Sequence, residues 1–168
     1  MFRPPGTTPG HWLEWARLIL QLWVLGGRKQ EWMPDAAVAL FEKAVSIGWD
    51  GKYGGFFYNL DWSDTPDMRD KLWWPSCEGI GAARFLIAHR PSTFHESWYR
   101  RIWDGISRYH LDRENGGWFE QLSEDMQPAH TLFAGKADIY HALQACLIPL
   151  YPAEGSVTKG IVEEAGAS

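Results

Sequence analysis

Only two cysteines occur, Cys77 and Cys146, far apart and in no C-x-x-C spacing. That excludes a zinc ribbon and fits a reducing compartment. Positive charge is not in excess: 16 Lys and Arg against 21 Asp and Glu leave a net charge of −5. That balance argues against a nucleic-acid partner, which usually wants a basic face. Long apolar runs are absent as well. The longest, from Leu18 to Leu25, is interrupted by Gln21 and is far too short to span a bilayer. The chain opens MFRPPG, with no charged and apolar leader pattern. These absences lead to the expectation of a cytoplasmic protein with no membrane and no nucleic-acid partner. A chain of 168 residues suits one domain with a substantial core.

What the sequence has instead is tryptophan, 11 of them. Several stand in or beside turns (Trp49, Trp62, Trp118) or at helix starts (Trp12, Trp74). An indole offers a flat apolar face and one N–H, which suits stacking on the C–H face of a sugar. Periodicity and caps predict helices over Pro9 to Leu25, Pro34 to Ile47, Pro75 to Ala88, Thr93 to Tyr109 and Ala137 to Leu147. Thr8 is the expected N-cap of the first. Thr93 with Glu96 reads as a capping box. The stretch after Ala153 is small, polar and glycine-containing, and is expected to be a disordered tail, residues 153–168.

One pattern repeats. Gly54-Gly55-Phe56-Phe57 and Gly116-Gly117-Trp118-Phe119 lie 62 positions apart with two helices between them. A helix pair with a Gly-Gly hairpin cannot bury its own inner face and needs neighbours on both sides. Such units stack into an all-α toroid with short β-hairpins at one rim. Residues 1–152 would form only part of a closed ring of six pairs, which requires well over twice this chain. The cut edges should then expose apolar surface and drive self-association or recruit a complementing N-terminal fragment.

Polar groups interrupt the apolar faces at His11-Trp12-Leu13-Glu14, at Glu78 and at His141. The segments FRPPGTTPGHWLEWARLILQL, DKLWWPSCEGIGAARFL, HLDRENGGWFEQL and GKADIYHALQACLIPL, in that order, resemble the N-acylglucosamine 2-epimerase family of sugar epimerases and aldose–ketose isomerases. The G-H-x-x-E-W-A-R-L and K-x-D-x-Y-H-A-L patterns are most similar to its mannose isomerase and sulfoquinovose isomerase branch. The resemblance implies a partial (α/α)6 barrel whose central site uses no cofactor and takes a monosaccharide. It implies that His11 and His141 are catalytic, that Glu14 is the acid beside the first, and that Arg3 and Glu78 lie near the substrate. Trp74 joins them as a substrate-stacking candidate. The family barrel is about twice as long, so its N-terminal portion has no counterpart here, and Met1 before FRPPG looks like a start inside a longer frame. Pro75 stands where an ordinary helical residue is expected, which would alter the approach to Glu78.

The chemistry asks for these residue types. Isomerisation or C2 inversion of a sugar removes a weakly acidic C–H beside a carbonyl, and imidazole is suited to take that proton and return it near neutral pH. A carboxylate one helical turn along can orient such a histidine. Arg3 could stabilise the developing oxyanion. Two other readings stay open. One is a non-catalytic remnant that binds sugar or protein. The other is a metal enzyme built on His11, Glu14, Asp138 and His141.

Overall fold

The computed structural model describes residues 4–133, 135–136 and 138–166. Among the described residues, six α-helices carry the fold: α1 Pro9–Leu25, α2 Trp32–Ile47, α3 Trp73–His89, α4 Thr93–Gly105, α5 Ile139–Leu147 and α6 Val157–Gly166. Helix α4 continues through a wider π-type turn, Ile106–His110. Five short strands among the described residues lie between them: β1 Asn59–Leu60, β2 Pro66–Met68, β3 Lys71–Leu72, β4 Gln121–Leu122 and β5 Pro128–Ala129. Strands β1 and β2 pair antiparallel, and β3, β4 and β5 form an antiparallel three-stranded sheet.

Helix α3 is the centre of an arc, flanked by α1 on one side and α5 on the other. It is buried nearly all round, with Cys77, Ile80, Ala82, Ala83, Phe85 and Leu86 in the core. Its small residues allow that. A side chain on Gly79 would press on Ile102, and one on Gly81 would meet Arg17 at 2.5 Å. Helix α2 packs behind α1, and α4 behind α3. Three helices thus line one layer and two run back behind them.

The two Gly-Gly turns fold alike. Gly54, Gly55, Gly116 and Gly117 all take positive φ, at 88°, 75°, 75° and 74°, where a side chain would be strained. In each turn an aspartate Oδ1 accepts two backbone N–H groups, Asp50 from Lys52 and Tyr53, Asp112 from Glu114 and Asn115. Each aspartate also pairs with a lysine at the start of the next segment, Lys71 at 2.8 Å and Lys136. The repeat therefore extends past its glycines to a charge pair.

Several expectations need correction. The N-cap of α4 is Ser92, whose Oγ accepts from the His95 N–H, while Glu96 pairs with Arg100. Thr8 precedes α1 without a side-chain capping bond. Helix α3 starts two residues before Pro75, which places the proline in the first turn, where its missing N–H is not needed. Around and beyond 152, contacts and a helix fall within the described residues. His89 Nε2 lies 2.7 Å from the Ala153 carbonyl oxygen, Arg84 and Gln21 donate to the Tyr151 and Gly155 carbonyls, and α6 follows. Those backbone groups are satisfied by side chains of α1 and α3, a tertiary effect that composition does not carry.

Two edges are apolar and uncovered. On α1, Trp15, Leu18, Leu22 and Leu25 are exposed; on α5, Ile139, Tyr140 and Leu143 are exposed, with Leu150 beyond. These are the faces of α1 and α5 that turn away from α3. Among the described residues, no helix is long and apolar enough to cross a membrane.

Candidate active site

The N-terminal ends of α1, α3 and α5 meet at one cleft of about 820 Å³. Its walls include His11 and Glu14 from α1, Trp73 and Trp74 from α3, and Asp138 and His141 from the start of α5. Trp12, Tyr58 and Phe133 add aromatic surface. Trp74 joins the two histidines: its indole centroid is 5.1 Å from the His11 ring and 5.9 Å from the His141 ring, both tilted against it. Gly10 makes this arrangement possible. A Cβ there would lie 2.5 Å from the indole and 2.9 Å from Pro75, so only glycine lets Trp74 rest on the first turn of α1. Residues 4–8 are tied down by reciprocal backbone bonds between Thr7 and Leu60, each 2.8 Å.

Behind His141 lies a buried polar chain. Glu78 is fully buried and accepts through Oε1 from His141 Nδ1 at 3.1 Å and from Gln144 Nε2 at 3.3 Å. Its Oε2 accepts from Arg17 Nε at 2.6 Å, and Arg17 Nη1 donates to Gln21. Burial pushes the Glu78 carboxyl up. The hydrogen bonds from His141 and Arg17, with their charges, outweigh it and hold Glu78 below the ordinary glutamate value. Glu78 is therefore an anion inside the core. At the start of α5, Asp138 Oδ1 accepts from the His141 backbone N–H at 2.9 Å and caps the helix.

The cleft brings together His11, Glu14, Trp74 and His141. Arg3 lies outside the described residues. Glu78, expected near the substrate, sits behind His141 rather than among the cleft-lining residues, and its oxygens accept from three side chains. Among the described residues, neither the His11 ring nor the Glu14 carboxylate has a hydrogen-bond partner, although both face the same space. No cluster of three or more His, Cys, Asp or Glu in metal-holding geometry occurs among the described residues. Sequence reasoning missed Arg17 and Gln144. Arg17 had a signal, since it falls on the buried stripe Leu13, Ala16, Leu20, Val24, where a charge demands a partner.

The N-acylglucosamine 2-epimerase (GlcNAc 2-epimerase) profile matches residues 1–145. D-mannose isomerase of Pseudomonas cannabina pv. alisalensis is 39% identical over 95% of this chain and 40% of its own length. D-mannose isomerase of Thermobifida fusca is 40% identical over 90% of this chain and 38% of its own. A crystal structure of D-mannose isomerase superposes with a TM-score of 0.81 at 30% identity, covering 89% of this chain and 38% of that one. A cellobiose 2-epimerase from Bacillus thermoamylovorans B4167 shares the fold, with a TM-score of 0.74 at 12% identity, over 86% and 38% of the two chains. The chain thus spans about 40% of the length of the curated relatives it matches, and its helices form part of an (α/α)6 barrel. The profile, the relatives and the barrel arc converge: this chain belongs to the N-acylglucosamine 2-epimerase family of sugar isomerases and epimerases.

Proposed function

We propose that this protein serves the aldose–ketose isomerisation or C2 epimerisation of a monosaccharide, with His11 and His141 as its proton carriers. The observation that carries this reading is the pair of imidazoles set against one indole in a single aromatic cleft. The D-mannose isomerases among its relatives favour D-mannose and its ketose as the first substrates to try.

The Glu78 contact supports His141 as the base. With Nδ1 donating to a carboxylate, the lone pair is left on Nε2, the nitrogen that can take a proton from C2 of the open-chain sugar. The product is a cis-enediol(ate). Proton return to C1 gives the ketose, and return to the opposite face of C2 gives the epimer, for which His11 across Trp74 is the second carrier. Glu14, on the same wall as His11, supplies a carboxylate that can accept the His11 N–H once substrate closes the site. Arg3 is assigned to the developing oxyanion, and Trp74 to the sugar's C–H face. No step requires a metal or organic cofactor, so exhaustive chelation should leave the rate of an active preparation unchanged. Loss of activity with rescue by a divalent ion would favour a metal enzyme instead.

The apolar edges on α1 and α5 support an incomplete ring. The chain alone is expected to be inactive or weakly active and self-associated, or dependent on a fragment that covers those edges. The test measures mannose–ketose interconversion by the chain alone and mixed with the part of the Thermobifida fusca relative that it does not span, with light scattering on both. Turnover restored in the mixture is the expected result. No interconversion in either would leave a sugar- or protein-binding remnant as the better reading. A compact monomer with full turnover would overturn the incomplete ring.

A further inference from the structure

We infer that Arg17 is a positioning residue for the proposed reaction: it supplies the permanent counter-charge of buried Glu78 and so leaves His141 free to gain and lose a proton. This rests on the reading of His141 as a base. The geometry is a three-helix relay. Arg17 on α1 is 3% exposed and holds Glu78 Oε2 at 2.6 Å, and Glu78 on α3 holds the His141 Nδ1 on α5 through its other oxygen at 3.1 Å. A buried anion requires compensation, because leaving it unpaired in the core is far costlier than neutralising it. Two cations are within reach, and only one of them can be spared. Arginine stays charged at every relevant pH. While it compensates Glu78, the imidazole need not.

Take Arg17 away and the remaining partner of Glu78 that can carry a charge is His141, which then has to stay an imidazolium to neutralise the carboxylate. A histidine locked in that state has no lone pair for C2. The other groups facing His141 do not change this balance. Asp138 on its own helix caps the backbone N–H, Gln144 is neutral, and His11 and Glu14 from α1 share the cleft. All of them are unaltered when Arg17 is replaced.

The experiment follows the protonation of His141 by NMR of histidine-labelled chain, with the resonance assigned by its loss in His141→Gln. In Arg17→Met the imidazolium should persist to higher pH than in the parent, with its midpoint up by about one unit or more, a tenfold rise in proton affinity. The double variant Arg17→Met/Glu78→Gln removes the anion and should bring the midpoint back to or below that of the parent. Arg17→Lys should stay within a few tenths of a unit of the parent. If Arg17→Met does not fold, Arg17→Gln, also neutral, carries the same expectation. A role in stability alone would lower the melting temperature and leave the midpoint where it was. An unchanged or lowered midpoint in the folded neutral variant would overturn the inference. The readout needs no turnover, so failure of the isomerase reading would show separately, in the sugar assay.

Discussion

The two walls of the cleft are built differently. On the α5 wall, His141 is half-buried, donates to a carboxylate that is itself fixed by an arginine and a glutamine, and rides on a capped helix start. On the α1 wall, His11 is exposed, and its ring contact is the indole of Trp74. One imidazole is preorganised from behind. The other lies on the side where α1 has an uncovered apolar face. The difference locates the support: α1, α3 and α5 together hold His141 from behind, whereas the His11 ring and the Glu14 carboxylate have no hydrogen-bond partner among the described residues.

The largest expected effect comes from removing an imidazole. His141→Ala should reduce sugar C2 proton exchange by roughly 10²- to 10⁴-fold, the usual contribution of a general base, in whatever preparation shows turnover. His11→Ala should reduce epimer formation more than exchange, because exchange requires one base and inversion requires two; equal losses in both would erase the distinction between the walls.

Next comes the support. Glu78→Gln leaves Arg17 charged and uncompensated in the core and should cost about 3–5 kcal/mol of stability by denaturant unfolding. Glu14→Gln, half-exposed and without a partner among the described residues, should stay within about 0.5 kcal/mol. If the two costs are equal, the walls are alike after all. The Glu78 carboxyl is held below its ordinary value when folded, so its contribution is present above the unfolded value and is lost as pH falls through the folded one. Unfolding curves below about pH 4.3 should thus fall less steeply in Glu78→Gln than in the parent.

A smaller change acts on the indole that both walls share. Gly10→Ala puts a methyl group 2.5 Å from Trp74, which has to move. The expected cost is about 1–3 kcal/mol, with altered Trp74 fluorescence and weaker sugar binding. An unchanged spectrum would show that the indole is not held where it joins the two histidines.

Much of this was legible in the sequence. Helix α1 has the bounds that its Pro and Gly-Gly punctuation indicates, and the Gly-Gly repeat marked the rim turns because positive φ leaves few residues to choose from. His11, Glu14 and His141 stood out as polar groups on apolar helices. Contacts between elements were not legible. The resemblance puts Glu78 near the substrate; only the packing of α3 between α1 and α5 reveals which side chains its oxygens accept from. Ser92 rather than Thr93 caps α4 because a one-residue shift preserves the same polar pattern. Beyond 152, the Ala153 and Gly155 carbonyls meet His89 and Gln21, both distant in sequence. Asp50 and Lys71, 21 positions apart, become a buried pair only when the rim closes.

The central claim is that His141 carries the C2 proton. Its most direct test is deuterium incorporation at C2 of D-mannose in D2O, catalysed by the chain combined with the part of the Thermobifida fusca relative that it does not span. The account expects incorporation with the parent chain and its loss with His141→Ala. Incorporation that continues at the parent rate in His141→Ala would contradict it.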